Sequence, residues 1–412
     1  MPVAFWFRRD LRLDDNTGLS AALQAGESVI PVFVFDKSIL DELPEQDARV
    51  DFIHRTLADI QTQLRELGSE LVVRYGPPTQ VWENLQAEYN FTAVYTNHDY
   101  EPYAIARDTE MASFFSTKGA SFNTYKDQVI FEKEEILTNT GNPYAVFTPY
   151  SRKWREQLTP AHLADRNTEA HFDQFWKTDQ QQPIPSLSSM GFQQTDMVFP
   201  PRIPDKEIIK VYDEKRDFPA EKGTTRVGLH LRFGTLSIRK LARVARKLND
   251  TYLSELIWRE FYMQVLWNNQ YVVNAPYRKD YSLIEWENNE THFKAWCEGK
   301  TGYPLVDAGM RELNATGFMH NRVRMLVASF LSKHLLINWQ WGEAYFAEKL
   351  LDFELASNNG GWQWAAGCGT DAAPYFRIFN PESQLKKFDS KARYVRKWVP
   401  EFGTPAYPKP IV

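Results

Sequence analysis

The sequence predicts an α/β N-terminal domain with a doubly wound parallel sheet, followed by an all-α C-terminal domain. Three observations carry that prediction. Through residues 1–125, short apolar or β-branched runs alternate with helical periodicity. Residues 126–204 lose periodicity and turn polar and Pro-rich, as in KTDQQQPIPSLSSMGFQQTDMVFPPRIPD. From 205 to 412 the pattern is helical almost throughout. Strands alternating with helices imply a parallel sheet covered on both faces. The aperiodic stretch reads as an interdomain connection wrapping the surface. A length of 412 residues suits two or three domains with large cores.

The expected strands are Val3–Phe7, Val29–Phe35, Leu71–Tyr75, Ala93–Asn97 and Ser121–Tyr125. Between the second and third, Asp47 caps a helix whose Val50, Ile53, Leu57, Ile60, Leu64 and Leu67 recur at three and four residues, and Gly68 stops it. After the first strand comes RRDLRLDDN, charged and without glycine, so no loop there can close on a pyrophosphate as a dinucleotide fingerprint does. We therefore read this domain as a scaffold or accessory site. In the C-terminal half, Ser237 caps a helix with Ile238, Leu241, Val244 and Leu248 on one face. A second helix follows Thr251, and a third has Pro304 in its first turn and Gly317 past its end. A fourth runs from about Met319 to Leu336, and a fifth carries Trp341, Tyr345, Phe346 and Leu350. Asn358, Asn359, Gly360 and Gly361 read as the stop of that fifth helix, because both residue types tolerate left-handed backbone. No internal repeat is present.

Composition excludes several classes. With 43% hydrophobic and 25% charged residues the chain is an ordinary soluble globular protein. A net charge of −5 excludes a protein basic all over, so any nucleic-acid site must be a local patch. Cys297 and Cys368 supply neither a disulfide framework nor a thiolate metal site, and they fit a reducing compartment. No apolar run is long enough to span a bilayer, and the N-terminus enters a strand with no room for a signal peptide. A cytoplasmic, metal-free, monomeric protein is expected. Aromatics, 13 tryptophans among them, are in excess. Core packing is one explanation; rings around a flat ligand or exposed bases are the other.

Candidate site residues cluster on helical faces. Glu255, Trp258 and Arg259 lie at i, i+3 and i+4, as do Asn321, Arg324 and Met325. The first face has an ordinary alternative, an exposed Glu–Arg pair beside a half-buried Trp. Asp352, Glu354, Asn358 and Asn359 crowd against Trp362 and Trp364, and buried polar groups among large rings suggest a ligand that partners them.

The stretch DFELASNNGGWQWAAGCGTDAAPYFRIFNP, with GKTGYPLVDAGMRELNATGFMHNRVRM before it and FWFRRDLRLDDNTGL near the N-terminus, closely resembles the DNA photolyase/cryptochrome family. It is most like the class I photolyases of cyclobutane pyrimidine dimers. The likeness is long, gap-free and covers nearly the whole chain. It implies light-driven DNA repair, in which reduced FAD passes an electron to a flipped dimer, the ring splits and the electron returns; base flipping is a known property of photolyases.

By the same resemblance, the FAD site takes Tyr212, the turn Thr224-Thr225-Arg226-Val227-Gly228, Arg259, Arg324 paired with Asp352, Phe353 and Glu354, with Asn358 facing flavin N5. Gly228 stands where the family turn carries a serine. The dimer and its DNA fall to Arg216, Glu255, Trp258, Arg259, Asn321, Arg322, Met325 and Trp364. The run Lys386, Lys387, Lys391, Arg393, Arg396 and Lys397 either meets phosphates or is a solvated face. Trp286, Trp339 and Trp362 match a chain of three tryptophans that leads electrons to the flavin. Glu255 and Asn358 join them as the catalytic set.

Folate-binding members carry an Asn-Glu pair where Tyr103-Ala104 stand in YEPYAIARD, so a second antenna chromophore is expected to be a deazaflavin or another flavin, if one is held. The chain ends at YPKPIV, where relatives continue into a last helix, which suggests a trimmed tail. The rival readings are a cryptochrome-type blue-light photoreceptor, weakened by Asn358, a photolyase of (6-4) photoproducts, and a flavin oxidoreductase with a small substrate.

Overall fold

The structure, a computed structural model, describes residues 1–372, 374 and 377–412. Ala373, Tyr375 and Phe376 of the C-terminal motif lie outside the described residues. Two compact units are present, each discontinuous in sequence. One comprises Met1–Ile130, Thr159–Ile203 and Val227–Arg243; the other comprises Phe131–Leu158, Pro204–Arg226 and Val244–Val412.

The first unit is built on five parallel strands among the described residues: β1 (Val3–Phe7), β2 (Val29–Asp36), β3 (Val72–Gly76), β4 (Ala93–Asn97) and β5 (Ser121–Tyr125), in the order β3-β2-β1-β4-β5. Val3 pairs with Val29 and Ala4 with Val94, so β1 is central. Every residue of VAFWF is buried, which is why that strand reads as a continuous apolar run rather than an alternating one. Helices α1 (Thr17–Leu23), α2 (Ala48–Glu66), α3 (Pro78–Tyr89) and α4 (Pro102–Thr117) connect the strands. Asp47 caps α2 by accepting the Arg49 N–H at 2.8 Å, and Gly68 ends it at φ +70°. Leu71 precedes the third strand rather than opening it.

The glycine-free RRDLRLDDN segment builds a buried charge cluster instead of a ligand loop. Asp127 receives Arg12 at 2.6 Å and Arg239 at 2.8 Å, and Arg239 also reaches Asp15 at 3.0 Å. All four side chains are at most 2% exposed. Burial alone would raise the Asp127 pKa; Arg12 and Arg239 outweigh it and hold the carboxyl well below its ordinary range.

The second unit is helical: α5 (Phe147–Gln157), then, after α6 (Ile238–Leu248), α7 (Asp250–Asn268), α8 (Glu290–Cys297), α9 (Pro304–Thr316), α10 (Asn321–Lys333), α11 (Trp339–Lys349), α12 (Leu355–Ala366), α13 (Pro381–Phe388) and α14 (Arg393–Trp398). Ser237 caps α6, its hydroxyl accepting the Lys240 N–H at 3.2 Å. Pro304 opens α9 and Gly317 closes it at φ +62°. Two boundaries differ from expectation because side chains outside the apolar pattern cap them. Asn249 caps α7 through the Tyr252 N–H, so the helix includes Thr251 rather than following it, and His320 caps α10 through the Arg322 N–H.

The largest correction concerns Asn358 to Gly361. They are not a stop but the middle of α12, which ends at Gly367 with φ +91°. The fifth helix, α11, ends earlier, at Lys349. Glycine serves close approach here rather than left-handed backbone: a Cβ on Gly360 would lie 2.1 Å from the Tyr262 ring of α7. A Cβ on Gly342 of α11 would lie 2.1 Å from the Trp362 ring. Both helices thereby pack tightly around the core that holds Trp296, Trp339 and Trp362.

Candidate functional site

Within the helical unit, α7, α10, α11 and α12 and the turn between α11 and α12 enclose a cavity of about 400 Å³, a volume typical of small-ligand sites. The stripe Glu255, Trp258, Arg259 of α7 lines one wall, and Asn321, Arg324, Met325 of α10 line another. Asp352, Phe353, Glu354, Asn358, Trp362 and Trp364 come from the turn and α12, and Arg216 stands at the rim. The two faces expected from spacing alone thus meet in one space. Tyr212, Thr224 to Gly228, Arg322, Trp286 and Trp339 do not line this cavity. Tyr212 is half-buried with its ring edge-on to Tyr252, 5.0 Å between centroids. Thr225 shares a hydrogen bond of 2.8 Å with the Tyr252 hydroxyl, Thr224 is half-buried and Arg226 is exposed. Val227 and Gly228 fall in the first unit.

Cations and carboxylates are paired around the cavity. Arg324 donates to both oxygens of Asp352, at 3.1 and 3.0 Å, as expected, and its Nε donates to the Met319 carbonyl at 2.7 Å. Arg259 holds Glu354 at 3.0 Å, and the Ser357 hydroxyl donates to the other Glu354 oxygen at 3.0 Å. Arg216 pairs with Glu255. Burial raises the Glu255 pKa, Arg216 opposes the rise and Asp217 adds to it. The Asn358 amide donates to the main-chain carbonyl of Glu343 at 3.1 Å. Burial lifts the Glu343 carboxyl to about 7, against hydrogen bonds with Asn359 and Asn358. His320 is 3% exposed; burial, then the neighbouring Arg322, pushes its pKa down to about 4, so the ring is neutral at pH 7.

Trp339 and Trp362 are buried in one core, with Trp286 half-buried against it. The Trp362 indole stands edge-on to Phe346 at 5.0 Å, and its Nε1 has no hydrogen-bond partner among the described residues. Arg322 pairs with Asp217 and lies over the Phe388 ring at 4.5 Å. Lys386, Lys387 and Lys391, Arg393, Arg396 and Lys397 are exposed, and Lys387, Lys391 and Arg393 edge a second, smaller cavity of about 250 Å³ beside Phe218. Sequence reasoning missed Tyr262, Ser357 and Phe346 as lining residues. For Tyr262 the signal was available, because 255, 258, 259 and 262 continue one helical stripe.

The lining fits an isoalloxazine and its nucleotide. Gly361 faces the cavity with nothing within 4 Å of an added Cβ, leaving room for a flat ring. The orphaned Trp362 Nε1, the Asn358 amide and the Arg259 and Arg324 cations supply polar and positive partners. Among the described residues, no group of three or more His, Cys, Asp or Glu side chains could hold a metal ion. No described helix is long and apolar enough to cross a membrane.

Residues 252–409 match the model of the FAD binding domain of DNA photolyase, and residues 3–169 match that of DNA photolyase. A deoxyribodipyrimidine photo-lyase from Synechococcus sp. is 37% identical, covering 100% of this chain and 93% of its own. The crystal structure of a photolyase from Sulfolobus tokodaii, with two FAD molecules, is similar at a TM-score of 0.87 and 36% identity, over 100% of this chain and 96% of that one. A cryptochrome from Synechocystis sp. is more distant, at a TM-score of 0.83 and 25% identity over 100% and 96%.

Proposed function

The chain belongs to the DNA photolyase family, and from that membership we propose a light-driven DNA-repair enzyme whose substrate is the cyclobutane pyrimidine dimer. Asp352, Phe353, Glu354 and Asn358 would hold FAD, which when bound would supply the electron on excitation. The residues of the chain bind, orient and exclude water. Arg324, paired with Asp352 at 3.0 Å, would hold the polar edge of a bound flavin, and the Asn358 amide, able to donate or accept, would face its N5. Thr224 and Thr225 hold phosphate through hydroxyl and backbone groups. Trp258 and Trp364 are apolar walls on which unstacked bases rest, worth about 1–3 kcal/mol per base. Glu255 hydrogen-bonds the base, and Arg216 and Arg322 meet phosphates. Trp362, Trp339 and Trp286 would relay electrons to a bound flavin from an external reductant.

The observation that carries the choice of lesion is the face of α10 turned to the cavity. Repair of a (6-4) photoproduct must move a proton as well as an electron, whereas opening a cyclobutane ring needs only an electron and its return. Asn321 and Met325, which line that wall, do not titrate. His320 is occupied as the cap of α10 and is neutral. Illumination of dimer-containing and (6-4)-containing oligonucleotides tests the reading: dimer repair slowed by Glu255→Ala is expected, and comparable (6-4) turnover contradicts it. A light-gathering flavin or deazaflavin rather than a folate suits the first unit, where Tyr103 is committed to Asp36 by a hydrogen bond of 2.6 Å. In this reading the enzyme is a cytoplasmic monomer acting on UV-damaged DNA.

A further inference from the structure

Trp258 is held by a ring that the cavity itself does not contain. Its indole lies against the Phe147 ring at 3.7 Å between centroids and 7° between planes. Aromatic pairs left to themselves favour offset or edge-on arrangements over such a close face-to-face stack. Here the surroundings impose it. Phe147 opens α5, and its N–H donates to the Asp371 carboxylate at 3.4 Å. The rest of α5 is fastened to α7, the helix that carries Trp258. Trp154 Nε1 donates to the buried Glu260, whose carboxylate also takes the Phe131 N–H at 3.2 Å. Arg155 reaches the Ser254 hydroxyl at 2.8 Å, and the Tyr150 ring packs on Phe261 at 5.3 Å. Two more rings pack on the indole: Phe261 edge-on at 5.6 Å and Tyr262 tilted at 5.5 Å. Trp258 lines the cavity and Phe147 does not, so Phe147 backs the indole from behind.

We propose that Phe147 is a positioning residue for lesion recognition: it clamps the Trp258 indole in the plane on which the extruded dimer stacks. The inference rests on the reading of the cavity as the dimer site. A tryptophan free to turn loses rotamer freedom when a base stacks on it; one already clamped does not, so the clamp favours binding of flipped bases and is indifferent to intact duplex. Residues 131–158, part of the 126–204 stretch that loses periodicity in the sequence, thus deliver a specificity element to the site.

The test is binding of the flavin-loaded full chain to dimer-containing and undamaged duplexes, for Phe147→Ala, Phe147→Leu, Phe147→Tyr, Trp258→Ala and the Phe147→Ala/Trp258→Ala double variant. Phe147→Ala is expected to lower the preference for the lesion by about threefold to tenfold. Phe147→Leu, which keeps volume without a ring, falls in the same direction, and Phe147→Tyr restores the preference. Loss of Trp258 removes what the clamp acts on, so the double variant is no worse than Trp258→Ala. Unchanged preference in both Phe147→Ala and Phe147→Leu, or effects of Phe147→Ala and Trp258→Ala that add, overturns the clamp. A Trp258→Ala enzyme that keeps full lesion preference overturns instead the reading of the cavity, so the two failures are distinguishable. Should Phe147→Ala not fold, Phe147→Leu against Phe147→Tyr still decides.

Discussion

Arginine and carboxylate meet in both units of the molecule and do opposite work. In the first unit Arg12, Arg239, Asp15 and Asp127 are sealed from water, and Asp127 spends both oxygens on two guanidinium groups. In the second, Arg324–Asp352, Arg259–Glu354 and Arg216–Glu255 stand around an open cavity, each with a side turned to the space a ligand fills. A buried pair broken on one side leaves an uncompensated charge, whereas a pair at a cavity can pass its partner role to a ligand. The same chemistry is therefore sealed into the interior of one unit and set beside a cavity in the other.

The sharpest way to break this contrast is Asp127→Ala, which strands two buried arginines. A loss of about 3–5 kcal/mol in urea unfolding is expected. The depressed Asp127 pKa adds a pH signature. Its contribution is fully present above about pH 4, the ordinary carboxylate range, and is lost as pH falls toward the lowered native value. The variant should show a weaker acid dependence between wild-type limits, and an unchanged curve would mean that the cluster is energetically idle.

Trp362→Phe asks whether the second unit spends its buried rings on redox chemistry. Photoreduction of oxidised FAD should slow at least about a hundredfold (more than 2.7 kcal/mol in barrier), while repair by chemically pre-reduced enzyme survives. Undiminished photoreduction removes the electron-donor role for Trp362 and, with it, for Trp339 and Trp286. Smaller again is Asp352→Asn. Flavin affinity, read from flavin-to-protein ratio after dialysis, should fall about tenfold, with global stability changed by less than about 1 kcal/mol. A stability loss as large as that of Asp127→Ala would erase the distinction between the units.

A second pH signature belongs to Glu343, the half-buried carboxyl beside Asn358. Its pKa is raised to about 7, so the native state binds the proton more tightly than the unfolded chain does. Its contribution to stability is present at low pH and declines as pH rises from about 4.5, the ordinary range, to about 7. Glu343→Gln should flatten that decline in thermal unfolding, and the same slope in both proteins would show that Glu343 ionises like an exposed carboxylate.

Much of this was legible in sequence because it depends on local rules. Apolar or β-branched runs placed β1, β4 and β5 to the residue, and the stripes on α7 and α10 marked two walls of the cavity. The pairing of Arg324 with Asp352 was also foreseen, by resemblance. The helix break expected at Asn358 to Gly361 failed for a physical reason. Glycine signals a stop when left-handed backbone is needed, but Gly360 is there because Tyr262 presses against it, a contact between residues 98 apart in number that no local pattern records.

Period, capping and residue type act over a few positions, so most elements, and the two polar-aromatic faces of α7 and α10, follow from the chain alone. Which charges are sealed and which stand beside a cavity was settled by packing. RRDLRLDDN meets Arg239 in the interior of the first unit, and Phe147, in a stretch without periodicity, comes to lie against Trp258. Partners so far apart along the chain are chosen by packing of whole elements, where desolvation and close contact set the energies, and those terms have no counterpart in any short window of residues.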